Sequence, residues 1–158
     1  MNITVISVGK IKEKYFTAAI DEYSKRLSRF AKLNIIEVAD EKIPDNASEK
    51  EMEQIKEKEG NKILAKLPQN SFVVTLCIEG KEYSSEELAK KIADISMTSS
   101  HITFIIGGSL GLSDTVKSKS ALRLSFGKMT LPHQLMLVVL LEQIYRAFKI
   151  NNNESYHK

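Results

Sequence analysis

Short apolar runs alternate along this chain with amphipathic segments, and this alternation limits the possible folds more than any other feature. Five runs predict β-strands: Asn2–Val8, Leu33–Val38, Phe72–Cys77, Ile102–Ile106 and Leu122–Phe126. Continuous apolar strands separated by amphipathic helices are typical of parallel sheets that helices cover on both faces. The sequence therefore predicts an α/β fold with a mostly parallel sheet and helices on both faces.

Helices are predicted between these strands. Apolar residues recur at three- and four-residue steps from Tyr15 to Phe30, which indicates an amphipathic helix. Two capping boxes, each a serine followed three residues later by a glutamate, start further helices: Ser48 with Glu51 and Ser84 with Glu87. The first of these two helices is expected to run to about residue 66.

Glycine, proline and serine residues predict the remaining loops, turns and helix boundaries. A loop is expected at Asp40–Ala47, a turn at Gly80 and a short helical turn after Ser113. Pro132 suits the first turn of a long last helix that reaches about Ile150. That helix is apolar nearly all round in its first half, so it is expected to lie deep in the domain or at a subunit interface.

Length and composition set further bounds. A chain of 158 residues has the usual length of one domain, so a single domain over residues 1–158 is expected. Cys77 is the one cysteine, which excludes an intramolecular disulfide and a cysteine-cluster metal site. With three histidines, no metal is expected. The chain has no signal-peptide pattern and no apolar stretch of about 18 residues, so a soluble, cytoplasmic protein is expected.

The net charge of +3 is unevenly distributed. Residues 1–32 carry +4, residues 33–116 carry −6 and residues 117–158 carry +5. Basic ends around an acidic middle would suit two positive surfaces that converge on a polyanion. Solvated faces with no partner are equally compatible with this pattern.

Ligands of such α/β sheets bind beyond the carboxyl ends of the strands. Three segments follow strand ends here: Leu76–Ile78, Gly107–Gly111 and Gly127–Leu131. The loop from Phe126 to His133 offers free backbone N–H and C=O groups, which adenine and methionine moieties can bond. The P-loop and dinucleotide-binding glycine patterns are absent.

Residues Gly107–Gly111 also read G-x-S-x-G, the pattern of a serine-hydrolase nucleophile turn. Ser109 would be the nucleophile, and Asp114, His133 and His157 lie downstream in a usable order. The chain is short for an α/β-hydrolase, and no HGGG-type oxyanion segment precedes the serine. A small serine hydrolase is thus a less favoured alternative, and a tight turn is the simpler interpretation.

The C-terminal residues allow two interpretations. Glu142 and Arg146 stand four apart on one helix face, which is usual for a helix ion pair, although Arg146 could instead bind phosphate. The terminal residues Tyr156, His157 and Lys158 would ordinarily form a frayed tail. They could also form an aromatic, acid–base and cationic cluster that reaches a nucleic-acid substrate.

Six segments together resemble the ribosomal RNA large subunit methyltransferase H family, which comprises small SPOUT-class enzymes: VISVGKIKEKY, VTLCIEGK, IIGGSLGL, LSFGKMTLPHQL, LLEQIYRAFKI and the terminal YHK. The resemblance spans essentially the whole chain. It implies a deep C-terminal trefoil knot and a homodimer. It also implies S-adenosylmethionine as cofactor and methylation of N3 of a pseudouridine in helix 69 of 23S rRNA, in assembled ribosomes.

The same resemblance implies which residues form the site. The cofactor contacts would be Leu76, Gly107, Phe126, Gly127, Lys128, Met129, Thr130 and Leu131. His157 or His133 would accept the pseudouridine proton, Arg146 would bind phosphate or organise the dimer site, and Tyr156 would contact the nucleotide. A non-catalytic ribosome-binding or assembly protein is the alternative.

Three residues depart from the family pattern. Gly127 stands where family members commonly carry serine or another small residue, so backbone contacts are expected there. Leu110 replaces a polar turn residue. Leu137 replaces a basic residue, which is expected to weaken an RNA contact.

Overall fold

The structure, a computed structural model, describes all of residues 1–158 and contains five strands and five helices. In chain order they are β1 (Asn2–Val8), α1 (Lys14–Leu27), β2 (Lys32–Val38), α2 (Glu49–Lys66), β3 (Phe72–Glu82), α3 (Ser85–Ser96), β4 (His101–Ile106), α4 (Asp114–Ser118), β5 (Leu122–Ser125) and α5 (His133–Asn151).

The strands form one sheet in the order β2-β1-β4-β3-β5, and every neighbouring pair is parallel. The predicted α/β fold with a parallel sheet is confirmed. Because all strands run the same way, their carboxyl ends meet at one edge of the sheet, where the predicted ligand segments lie.

Helices cover both faces of the sheet. On one face, α1, α3 and α5 pack over a core of 20 buried residues. On the other, α2 and α4 cover a smaller cluster of 8. Helix α5 contributes Leu137, Leu140, Leu141 and Ile144, all fully buried. The expectation that the apolar last helix is deeply buried is confirmed.

Strand β3 is longer than predicted, and the predicted turn at Gly80 is wrong. The strand continues to Glu82 and pairs with β5 on both sides of a register shift between Leu76 and Lys81. A Cβ on Gly80 would lie 2.7 Å from the carbonyl oxygen of Arg123, so glycine here permits a close backbone approach within the sheet. The shift leaves residues 77–80 without register partners on β5.

The helix boundaries agree with the sequence signals, with small corrections. Both predicted capping boxes, at Ser48 and Ser84, are present. Helix α1 ends at Leu27, so Phe30 lies in the turn after it. Pro132 directly precedes α5 and is not in its first turn. The missing N–H of proline costs nothing at this position, because no hydrogen bond within the helix would use it. None of the helices combines the length and the apolar character that a membrane crossing requires.

The packing of β4 in the larger core gives a stability prediction. Phe104 is 1% exposed, whereas Met97, at the end of α3, is 83% exposed. Phe104→Ala should lower the free energy of unfolding by about 3–5 kcal/mol, because it removes buried apolar atoms and leaves a cavity. Met97→Ala should change it by less than about 0.5 kcal/mol. Urea unfolding followed by circular dichroism measures both, and equal effects would contradict the assigned core.

Candidate active site

A cavity of about 640 Å³ lies at the carboxyl edge of the sheet. Its size is within the usual range for small-molecule and cofactor sites. All three segments expected from strand ends contribute to its wall, which includes Leu76–Glu79, Ile106–Leu112 and Met129–His133. Seven of the eight predicted cofactor contacts line this cavity. Lys128 is the exception, since it is exposed and does not line the wall.

The glycine turn after β4 forms one wall. The N–H of Gly111 donates to the carbonyl of Gly108 at 3.0 Å, and Gly111 has a φ of 84°. A Cβ on Gly107 would lie 2.9 Å from the carbonyl carbon of Gly111. Glycine is therefore required here for a tight turn, and the wall it forms presents backbone atoms.

The loop between β5 and α5 forms the opposite wall, and one buried hydroxyl joins it to β3. Ser125 donates from Oγ to the carbonyl of Ile78 at 2.8 Å and accepts from the N–H of Gly127 at 3.1 Å. Gly127 has a φ of 123°, a conformation that favours glycine. Ser125 was not predicted, because its role depends on a carbonyl 47 residues away.

The cavity wall carries one ion pair. Lys117 on α4 lies 2.6 Å from a carboxylate oxygen of Glu79 on β3. This contact lowers the pKa of Glu79 and raises the pKa of Lys117. Nearby, burial raises the pKa of the Cys77 thiol, so it stays protonated at neutral pH. The opposite charges of Lys117 and Glu79 cancel, and no motif in the sequence indicated this ion pair.

His133 is the one predicted catalytic residue that lines the cavity. Its Nε2 lies 3.3 Å from the carbonyl oxygen of Lys10. A carbonyl oxygen only accepts, so Nε2 is the donor in this contact, and in the neutral ring the lone pair is then on Nδ1. The histidine is thus bonded to backbone at the start of α5, and Nδ1 of the neutral ring stays available as an acceptor.

The other three predicted catalytic residues form a cluster near the end of α5. Tyr156 donates to Glu142 Oε1 at 3.0 Å, and Arg146 Nε donates to the same oxygen at 3.0 Å. The Arg146 guanidinium lies 4.6 Å from the centre of the Tyr156 ring. These contacts pack the terminal residues against α5, so the frayed-tail interpretation is wrong for Tyr156 and His157.

Hydrogen bonds assign the protonation of this C-terminal cluster. Arg146 lies 3.1 Å from Nδ1 of His157, and since a guanidinium only donates, Nδ1 must accept. The ring proton is then on Nε2, which lies 2.7 Å from Glu86 Oε1. Burial, together with Glu142, raises the pKa of Tyr156 to about 12. Tyr156 is therefore a hydrogen-bond donor across the physiological pH range and not a base.

The structure does not bring all four predicted catalytic residues together. His133 and Arg146 are 13 positions apart on α5, which corresponds to roughly 20 Å along a helix. Within one chain, His133 lies at the cavity, and the C-terminal cluster lies near the far end of the same helix.

Ser109 lies in the glycine turn without the partners that a hydrolase needs. It is exposed, and its hydroxyl makes no hydrogen bond to a side chain. His133 is bonded to Lys10 and His157 to Arg146 and Glu86. The chain therefore does not assemble a Ser-His-Asp triad.

The structure also places two of the residues that depart from the family pattern. Leu137 is fully buried in the larger core. The expectation that its apolar side chain weakens an RNA contact is therefore wrong, because position 137 faces the core. Leu110 is half-buried and lines the cavity.

A family model described as "Predicted SPOUT methyltransferase" matches residues 1–157. The chain is 60% identical over its full length to the ribosomal RNA large subunit methyltransferase H of Clostridioides difficile (strain 630) and 62% identical to that of Clostridium novyi (strain NT). Both alignments cover 100% of each protein. The chain belongs to the ribosomal RNA large subunit methyltransferase H family of SPOUT methyltransferases.

A solved structure of a probable methylase family protein from Haemophilus influenzae Rd KW20 shares the fold. The TM-score is 0.52 at 10% identity, and the match covers 96% of this chain and 66% of that one. In this member of the methyltransferase H family, no group of three or more His, Cys, Asp or Glu side chains is placed to hold a metal ion.

A buried carboxylate on α2 packs against the glycine turn. Glu59 on α2 is 5% exposed, and its Oε2 accepts from the N–H of Glu41 at 2.9 Å. A Cβ on Gly108 would lie 3.2 Å from Glu59 Oε1, so the carboxylate packs directly against the turn. Burial raises the pKa of Glu59, which means that its charged form is disfavoured in the folded protein.

This burial gives a pH-dependent prediction. A carboxyl whose pKa is raised by folding binds its proton more tightly in the folded state, so the protein loses stability as pH rises through the folded pKa. Glu59→Gln should therefore be more stable than the wild type at pH 8, provided the amide keeps the bond from Glu41. The advantage should shrink as pH falls toward the unfolded pKa of about 4.3. Urea midpoints at pH 8 and pH 5 test this, and an advantage that grows at low pH would contradict it.

Proposed function

We propose that this methyltransferase uses S-adenosylmethionine to methylate N3 of a pseudouridine in helix 69 of 23S rRNA, in assembled ribosomes. The observation that carries the proposal is the backbone-lined cavity at the carboxyl edge of the sheet, in a chain whose full-length relatives are named for large-subunit ribosomal RNA. The protein would act in the cytoplasm, where ribosomes are. The C-terminal trefoil knot belongs to the same proposal.

The cavity fits the proposed cofactor in shape and chemistry. A Cβ at Gly107 would clash with the backbone of the glycine turn, and the positive φ of Gly127 favours glycine. The cavity wall therefore requires residues without side chains at these two positions. Leu76, Gly107, Phe126, Gly127, Met129, Thr130 and Leu131 would hold the group, largely through peptide N–H and C=O. When bound, S-adenosylmethionine supplies a methyl group on a sulfonium, a good leaving group. The protein then contributes mainly alignment and exclusion of water.

Transfer to N3 requires removal of the proton on that nitrogen. His133 lines the cavity, and the bond from its Nε2 to Lys10 leaves Nδ1 free to accept. His157 has its Nδ1 occupied by Arg146 and would have to exchange that contact first. We therefore assign the proton acceptor to His133 ahead of His157.

The separation along α5 supports a homodimer in this proposal. Arg146, which contacts Tyr156 and His157, lies roughly 20 Å along the helix from His133, too far to meet a nucleotide in the same chain's cavity. An antiparallel second copy would bring the C-terminal cluster of one protomer to the cavity of the other. Half-buried apolar residues of α5, including Leu135 and Val138, are available for that contact.

Labelling tests the reaction directly. Ribosomes from cells that lack this gene are incubated with the protein and methyl-labelled S-adenosylmethionine, and mass spectrometry of RNA fragments locates the label. Label at the helix 69 pseudouridine is expected. Label elsewhere would overturn the substrate. Ribosome binding without any cofactor binding would favour the non-catalytic ribosome-binding alternative.

Arg146 gives the sharpest residue-level prediction. Arg146→Ala should lower methyl transfer by about 100-fold, since it removes the guanidinium contacts that help to position Tyr156 and His157. The affinity for S-adenosylmethionine, measured by calorimetry, should stay nearly unchanged because Arg146 does not line the cavity. Arg146→Lys keeps the charge but not the multiple hydrogen bonds, so it should restore little activity. Wild-type rates for Arg146→Ala at limiting ribosome concentration would contradict this role.

A further inference from the structure

Three lysines alternate along the segment that connects β1 to α1. Lys10, Lys12 and Lys14 are all exposed, and none of them forms an ion pair. Other lysines of the chain do pair with carboxylates: Lys56, Lys62, Lys90, Lys117 and Lys149. Residues 10–14, which end at the first residue of α1 and are called the lysine loop below, thus carry three ammonium groups without an ion-pair partner and one carboxylate, that of Glu13.

The lysine loop lies at the rim of the cofactor cavity. It follows the carboxyl end of β1, which is hydrogen-bonded to β4, and β4 leads directly into the glycine turn. The carbonyl of Lys10 lies 3.3 Å from Nε2 of His133, a side chain of the cavity wall. Lys128 is also exposed and stands between Gly127 and Met129, which both line the same cavity.

Helix α5 fixes the lysine loop through its backbone. Gln134 Oε1 accepts from the N–H of Lys12 at 3.0 Å and lies 3.4 Å from the N–H of Glu13. The N-cap residue of α1 makes no side-chain capping hydrogen bond. Gln134 instead accepts from backbone N–H groups at the start of α1. Gly9 has a φ of 100°, and a Cβ there would lie 2.8 Å from His133 Nε2. The backbone is held while the lysine side chains remain free.

Charge distribution favours an anionic partner on this side of the protein. Residues 1–32, which contain the lysine loop, carry a net charge of +4, and residues 117–158, which contain the loop before α5, carry +5. Contacts to phosphate from lysines position a nucleic acid without reading its bases. We propose that the lysine loop binds the phosphate backbone of the substrate RNA beside the nucleotide that enters the cavity. This inference rests on the proposed function.

The test replaces the three lysines and compares them with a matched set. Lys10→Gln, Lys12→Gln and Lys14→Gln together should weaken ribosome binding by about 10-fold or more. They should also lower the slope of log affinity against log salt by about 2, since each phosphate contact to a single strand contributes about 0.7. Lys50, Lys58 and Lys66 on α2 are exposed and unpaired, so their triple glutamine variant is a control with the same change in charge.

Two further measurements make the outcome specific. Calorimetry with S-adenosylmethionine should give the wild-type affinity for both triple variants, because none of the six lysines lines the cavity. Arginine at positions 10, 12 and 14 should restore the salt slope, since the role requires positive charge. Equal slopes for the two glutamine triples would overturn the inference, as would an arginine triple that behaves like the glutamine one.

The two proposals fail in different ways. If the wild type methylates helix 69 and the two glutamine triples bind ribosomes alike, the role of the lysine loop is wrong and the proposed function stands. If the wild type transfers no methyl group to ribosomes but the lysine-loop triple alone loses salt-dependent binding, the RNA contact stands and the proposed reaction is wrong.

Discussion

The burial of α5 is the interaction on which the rest of this structure depends. Leu137, Leu140, Leu141 and Ile144 are all removed from solvent against the sheet and its neighbouring helices. A helix held by four buried side chains over about two turns cannot shift or rotate without exposing that surface, because packed cores are discrete and not continuously deformable. Its first turn therefore places His133 and Gln134 at fixed positions, and its last turns do the same for Glu142 and Arg146.

This rigidity has a direct consequence for catalysis. One end of α5 borders the cofactor cavity and holds the start of α1, while the other end orders the C-terminal tail. The helix keeps His133 and Arg146 roughly 20 Å apart, so within one chain the proposed catalytic residues form two separate groups. Under the proposed function, pairing two chains supplies what each cavity lacks, and the half-buried apolar residues on the outer side of α5 provide a surface for that pairing.

The features that the sequence predicted are local, and those it missed are long-range. The five strands, the serine–glutamate capping boxes and the glycine turn depend on residues a few positions apart, and all are present. The extension of β3 past Gly80 depends on pairing with β5, more than forty residues later. The ordered tail depends on Glu86, which is 71 residues from His157. Ser125 and the Lys117–Glu79 pair likewise meet partners that no spacing rule connects.

Under the proposed function, the cofactor and the RNA are bound by different kinds of interaction. The wall consists mainly of apolar side chains and peptide groups, and its one ion pair neutralises itself. Such a site holds a small molecule through shape and hydrogen bonds, with little dependence on salt. The uncompensated charge lies outside, at Lys10, Lys12 and Lys14. Under the proposed function, cofactor and RNA are bound by separate surfaces, so a change in ionic strength should alter RNA binding while leaving the cofactor site nearly unaffected.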